Sequence, residues 1–270
     1  MKLEILISCM HQTDDRLVRS SKITGSALMI NQCDRDSYQE YPTADGIARI
    51  ISTTQRGLTK SRNMAIRHSQ GDICMLCDDD EEFLPDYAGK ILGAYASLPQ
   101  ADVIIFKMAD RAPSFPDQVR RLRFPMTAKV SSWQISFRRQ SLLRTGVQFD
   151  ELLGAGTGNG AEEELKFLLD CQRAGLRIYY VPEEIARVAQ TQSTWFRGFD
   201  AAFFENRGAT TRYILGLPVA TLYAVYYVIA KRSLYRDQLT PLQAMGAIWR
   251  GMMENRISKQ SQSIQKDQKK

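Results

Sequence analysis

Histidine is nearly missing from these 270 residues: only His11 and His68 occur, and no second cysteine pair accompanies Cys74 and Cys77. That scarcity argues against a zinc site, which draws its four ligands largely from those two residue types. The five cysteines, at 9, 33, 74, 77 and 171, are an odd number in a chain whose first residues form no long apolar leader. Reduced thiols and residence in the cytosol are therefore expected, and a disulfide framework is not. The spacing within the run Ile73 to Cys77 puts Cys74 and Cys77 on opposite faces of a strand, as buried structural thiols. The most apolar stretch, Tyr213 to Ala230, contains Pro218 and falls short of the roughly twenty residues a membrane span needs. No zinc-finger, RNP-like or helix-turn-helix signature is present, so nucleic acid is not expected as a partner.

What is present suffices for a full core: 44% of the residues are apolar, enough for one domain and an extension. The net charge of +6 is unevenly placed. From Arg207 onward eleven Lys and Arg face three Asp and Glu, so the tail carries +8 and the remainder −2. A basic end on a nearly neutral body points to an anionic surface met by the tail alone, with lipid ahead of nucleic acid.

Short apolar runs at Leu3–Ser8, Ala27–Asn31, Arg49–Ser52, Ile73–Cys77 and Val103–Phe106 are separated by helical stretches or loops. That alternation predicts an α/β fold on a mostly parallel sheet. Thr59 is a candidate cap for the helix after the third run, and another helix is expected after Pro85. Ligands of such sheets gather at the carboxyl ends of strands. Directly after the fourth run stand Asp78-Asp79-Asp80-Glu81-Glu82. Carboxylates this close repel one another unless a divalent cation or helix-start donors offset their charge. Mg²⁺ or Mn²⁺, held by oxygen ligands and bridging to a diphosphate, is one resolution; capping of the helix near Pro85 is the other. The block alone divides evenly between them.

Gly57-Leu-Thr-Lys-Ser-Arg-Asn-Met-Ala-Ile66, followed by Gly71-Asp-Ile-Cys-Met-Leu-Cys-Asp-Asp-Asp80, resembles the core of family 2 glycosyltransferases of GT-A fold. Phe149-Asp-Glu, the glycines from Gly154 to Gly160, Glu162-Glu-Glu164 ahead of Phe167-Leu-Leu-Asp170, and Gly175 to Pro182 continue the likeness, which spans about Leu3 to Trp195. The resemblance implies Asp78 and Asp80 as the DxD pair holding Mg²⁺ or Mn²⁺ against the donor diphosphate, with Asp79 at the donor ribose or sugar. It implies Arg62 at the nucleotide or its phosphate, where a guanidinium forks onto oxyanions; the plainer alternative is a surface salt bridge. It also places the base that accepts the acceptor's proton at Glu164, with Glu163 next, although three consecutive glutamates stand where the family has a glycine and two acids. The expected chemistry is an inverting displacement on a nucleotide-diphosphate sugar with no covalent intermediate.

The loop Ser8-Cys9-Met10 and the loop Asn31-Gln32-Cys33-Asp34 are expected to face the nucleobase, with uracil implied by the resemblance and Asn31 or Asp34 reading it. Both loops depart from the family's usual text, and Val188-Ala189-Gln190 stands where relatives carry a metal-binding histidine. Gly156, Gly158 and Ala161 fit GxGxx[GA], but no clear strand precedes them, and a loop lining the sugar and acceptor pocket is the better reading. Trp133 and Trp195 are candidates for sugar stacking, with core packing the more common use of such rings.

The expected architecture is a GT-A catalytic domain over residues 1–205, a helical extension over 206–257 and a disordered polar tail over 258–270. Tyr213 to Ala230 reads as interfacial, and Leu242, Met245, Trp249 and Met252 recur as on an in-plane amphipathic helix; docking on the protein's own core or a twin subunit is the alternative. Partners would be a nucleotide-sugar donor, a saccharide or lipid-linked saccharide acceptor, and an anionic membrane at its inner face. A metal-dependent nucleotidyltransferase or phosphodiesterase, and a membrane-bound nucleotide-binding module without catalysis, are the rival classes.

Overall fold

The structure is a computed structural model and describes residues 1–111, 115–160, 162–188 and 198–267. The chain divides into two compact units, one of Met1–Phe149 with Glu164–Thr191, the other of Asp150–Glu163 with Gln192–Lys270. In this division the glycine-rich segment is grouped with the helices that close the chain.

Among the described residues, the first unit is built on ten strands. They are β1 (Leu3–Met10), β2 (Ser26–Gln32), β3 (Ser37–Pro42), β4 (Ile47–Thr53), β5 (Ile73–Cys77), β6 (Glu81–Phe83), β7 (Val103–Met108), β8 (Arg120–Leu122), β9 (Ile135–Arg138) and β10 (Ile178–Val188). In the sheet they stand in the order β3-β4-β2-β1-β5-β9-β7-β10-β6, with β8 paired to β10. Neighbours β4, β2, β1 and β5 run parallel, as do β7 and β10, while β9 lies antiparallel between β5 and β7. All five apolar runs are strands, so the expected α/β class holds. Five further strands, all short, exposed or carrying polar residues, gave no such pattern.

Alternation along the strands feeds two cores. Ile5 and Ile7 of β1 and Ile73, Met75 and Cys77 of β5 face one; Leu6, Cys74 and Leu76 face the other. Cys74 and Cys77 therefore lie on opposite faces as free, buried thiols. Helices α1 (Arg16–Ser20) and α3 (Tyr87–Ser97) cover the first face through Leu17, Val18, Tyr87, Ile91 and Tyr95. Helix α2 (Leu58–His68) covers the second through Ala65 and Ile66, with α4 (Arg139–Thr145) and α5 (Glu163–Arg173) contributing Leu142, Phe167 and Leu168. Thr59 does not cap α2: Gly57, at φ 123°, is the capping residue, and Thr59 is buried one position inside.

The turn into β5 explains the Gly71-Asp72 pair. Glu4 takes an ion pair from Arg49 at 2.6 Å and accepts the backbone N–H groups of Gln70 and Gly71 at 2.5 and 3.0 Å. A Cβ on Gly71 would lie 2.7 Å from that of Glu4 and 2.8 Å from the Ile73 carbonyl oxygen, so only glycine fits.

The second unit is helical: α6 (Ala201–Leu215), α7 (Leu217–Ala230), α8 (Arg232–Tyr235), α9 (Pro241–Glu254) and α10 (Arg256–Asp267). Asp200 caps α6 by accepting the Phe203 N–H, and Thr240 with Gln243 forms a capping box on α9. Helices α6 and α9 touch backbone to backbone, because Cβ atoms on Gly208 and Gly251 would lie 2.0 and 1.8 Å from the carbonyl oxygens of Ile248 and Glu205. The expected disorder from residue 258 gives way to α10, seeded where buried Ile257 follows Arg256, which donates to Asn159 and Asn206 at 3.2 and 2.6 Å. Gly154, Gly156 and Gly158 all have positive φ, so this glycine series serves tight turns. No helix among the described residues is long and apolar enough to cross a membrane.

Candidate active site

The carboxyl ends of β1, β2, β4 and β5 gather the residues picked out from the sequence. Helix α2 starts beside them, and its Ser61 hydroxyl donates to Ser8 Oγ at 2.9 Å. Arg62, on the next position, has a side chain only 2% exposed. Its guanidinium donates to Asp78 Oδ1 at 3.0 Å and to Glu164 Oε1 at 3.2 Å and lies over the Phe149 ring, 5.4 Å from its centroid. Asn63 fixes Phe149 in turn by a reciprocal pair of backbone bonds at 2.8 and 2.9 Å, and Phe149 stacks on Phe167 at 4.2 Å. The Arg62-Asn63 dipeptide thus joins the end of β5 to the start of α5. Arg62, expected at the donor phosphates or in a surface pair, is buried and pairs with two part-buried carboxylates.

Asp78 is held from two sides, since the Ser132 hydroxyl donates to its Oδ2 at 2.7 Å. Its backbone N–H donates to Glu81 Oε1 at 2.8 Å, while Glu81 Oε2 is buried without a hydrogen-bond partner. Burial, then the charge of Asp78, pushes the Glu81 carboxyl well above the usual range. Burial and the neighbouring acid Asp78 also raise Asp79; the same two causes, with Asp79 added, raise Asp80. Helix capping does not account for these acids: Glu81 and Glu82 belong to β6, and α3 has no acid in its first turn.

At the nucleobase end, Asn31 is buried and committed to the loop after β1, accepting the Gln12 N–H at 2.8 Å and donating to the Gln12 carbonyl and Ser52 Oγ at 2.8 and 3.1 Å. Asp34 is exposed and paired with Arg56 at 2.8 Å, while Arg56 also donates to the carbonyls of Cys33 and Thr54. Met10 is the exposed last residue of β1. Glu163 is buried at the start of α5 and belongs to the other unit. Trp133 is half-buried beside Ser132, with Arg111 over its ring at 5.5 Å. Val188 ends β10 and donates to Asp110 at 3.2 Å; Ala161, Ala189, Gln190 and Trp195 lie outside the described residues.

Residues 34–151 match the sequence profile described as Glycosyl transferase family 2. Over that segment the chain is similar to the family 2 glycosyltransferases. An uncharacterised glycosyltransferase of Haemophilus influenzae is 22% identical over 167 residues, 57% of this chain and 54% of that protein, so the chain matches about half the length of this curated relative. Among solved structures, Staphylococcus aureus TarS 1-349 in complex with UDP-GlcNAc superposes with a TM-score of 0.62 at 14% identity, over 93% of this chain and 82% of that one. The mannosyltransferase PcManGT of Pyrobaculum calidifontis, in complex with GDP-Man and Mn²⁺, gives 0.50 at 12% identity over 92% and 73%. At these identities the structures speak for the fold, and the fold is GT-A.

The acidic side chains after β5 are of the oxygen-donor type that suits a hard divalent cation. Among the described residues no three His, Cys, Asp or Glu side chains form a closed cage. An Mg²⁺ or Mn²⁺ that shares its coordination with substrate phosphates uses only one or two carboxylates. Asp79 and Asp80 are acids whose charged forms are disfavoured as they stand, which is what a cation would relieve. Asp78 already accepts two hydrogen bonds, though a carboxylate has about four lone-pair sites. Ser132, Glu81 and Arg56 were not anticipated; a lone serine and an arginine in unremarkable text give no signal, and Glu81 was hidden within the acidic run.

Proposed function

We propose that the protein transfers a sugar from a nucleoside-diphosphate sugar, a UDP-sugar first, to a hydroxyl of a saccharide or lipid-linked saccharide, with inversion at the anomeric carbon. The observation that carries this reading is the guanidinium of Arg62, which pairs with both Asp78 and Glu164. One carboxylate of the acidic run and the candidate base thereby share one permanently charged group. Glu164, with Glu163 next, takes the proton from the acceptor hydroxyl. The acceptor oxygen forms its bond to the anomeric carbon as the bond to the diphosphate breaks on the opposite face, and the leaving pair stays on the nucleotide. Mg²⁺ or Mn²⁺, held chiefly by Asp80 with Asp78, would supply positive charge for the departing diphosphate. Asp79 and the loops bearing Ser8, Met10, Asn31 and Asp34 hold the nucleoside, Asn31 by shaping its loop and Asp34 by its exposed carboxylate. The setting, by analogy with the family, is the synthesis of surface polysaccharide; its place at the inner face of the membrane is supported by the basic tail.

The test is a panel of nucleotide-sugars with Mn²⁺, followed for nucleoside diphosphate release. Release of the diphosphate with a glycoside or free sugar supports transfer. Release of nucleoside monophosphate with a sugar phosphate would instead mark a phosphodiesterase.

A further inference from the structure

Helix α7 has no charged residue along its fourteen positions. Its inner face, Ala220, Ala224, Tyr227 and Val228, is consumed by the core of the helical unit. Its outer face carries Val219, Leu222, Val225, Tyr226 and Ile229, all exposed, with Leu222 and Ile229 at 72% and 73%. Five large apolar side chains on one solvated helix face are unusual enough to require a partner. At 1.5 Å per residue the helix is about 21 Å long, too short to span a bilayer but suited to lying in its surface. Immediately after it come Lys231, Arg232 and Arg236, against the single acid Asp237.

Helix α9 is divided. Ala244, Ala247, Ile248, Gly251 and Met252 are buried, with Gly251 closing on α6. Of the residues expected on the membrane side, Met252 is fully buried and Met245 partly, while Leu242 and Trp249 are exposed.

We propose that the outward face of α7 docks in the plane of an anionic lipid surface, with Lys231 and Arg236 against its headgroups. Charge selects lipid over a second copy of the chain. Pairing two α7 faces would bring together two tails of +8 each, whereas an anionic surface attracts that charge. The inference stands on the helical unit by itself and is read without donor, so its failure leaves the proposed transfer reaction untouched, and the reverse.

The experiment is co-sedimentation of the full chain with phosphatidylcholine vesicles, with and without phosphatidylglycerol, alongside light scattering for oligomeric state. Binding is expected only to the phosphatidylglycerol vesicles. Leu222→Glu with Ile229→Glu, at exposed positions that leave the fold intact, should reduce it by more than about tenfold. Each of Lys231→Glu and Arg236→Glu should reduce it at least about fivefold, the contribution of one basic residue near an anionic surface. The proposal is overturned if the unaltered chain does not bind. It is equally overturned if the double glutamate variant binds as well as the parent, or if the chain is a dimer that this variant splits while vesicles capture neither.

Discussion

After β5 three aspartates stand together with one guanidinium and one hydroxyl among them, and the carboxyls of Asp79 and Asp80 are raised. Glu162 is treated in the opposite way. It sits at φ 68° with its carboxylate 2.5 Å from Arg207, which also donates to the Tyr223 hydroxyl and lies over the Tyr227 ring at 4.2 Å. Burial acts to lower the Arg207 pKa, but Glu162 and the surrounding tyrosines outweigh it and hold the guanidinium above its ordinary value. The pair at Glu162 is closed, charge against charge, while Asp79 and Asp80 keep carboxyls that burial and their acidic neighbours raise. A cluster of raised carboxyls is a candidate site, while a compensated buried pair belongs to the packing of the fold.

The contrast breaks most visibly under substitution. Asp80→Ala should cut nucleoside diphosphate release by about 100–1,000-fold, the range for losing one electrostatic partner of the transition state, while circular dichroism stays that of the parent. Arg207→Met should act on the fold, costing about 3–5 kcal/mol in urea unfolding because Glu162 is left buried and unpaired; adding Glu162→Gln should recover much of that loss. If Arg207→Met were harmless, the closed site would not be structural. Gly251→Ala forces a methyl against the Glu205 carbonyl and should cost at least about 1–3 kcal/mol by the same measurement.

The smaller tests concern protons. Because the folded carboxyls of Asp79 and Asp80 are raised, their ionisation costs stability above their raised values, and the cost disappears once pH falls below the ordinary carboxylate range. Asp80→Asn should therefore melt at or slightly above the parent near neutral pH, by less than about 1 kcal/mol after solvent screening, with no difference below about pH 3. Burial pushes Cys74 up to about 12 and raises Cys9, Cys77 and Cys171 as well, so native alkylation followed by mass spectrometry should mark Cys33 alone, the one cysteine not buried.

The sheet was legible because strands buried on both faces write themselves as continuous apolar runs; β5 was found to the residue. Strands such as β3, exposed and rich in Tyr, Gln and Glu, and β9, ending in arginine, carry no such run and take their place from their neighbours. At the site, Asp78 to Asp80 and Glu164 were visible as residue types in order. Arg62 was found, but its burial was not, since whether an arginine faces solvent or two carboxylates is settled by contacts a hundred residues away. Ser132 belongs to the same class. In the tail, the periodicity of α9 was read from its large residues, yet the small residues Ala244, Ala247 and Gly251 are among those it buries, and of the large ones Leu242 and Trp249 stay exposed.

The central claim separates two jobs: carboxylates after β5 hold the donor, and a glutamate opening α5 prepares the acceptor. Glu164→Gln, assayed for Mn²⁺-dependent binding of UDP by calorimetry and for transfer with the donor identified from the panel, addresses both at once. The account predicts binding within about twofold of the parent and turnover lower by about 100–10,000-fold, the contribution of a general base. Turnover at the parent rate, or loss of UDP binding together with turnover, would contradict it.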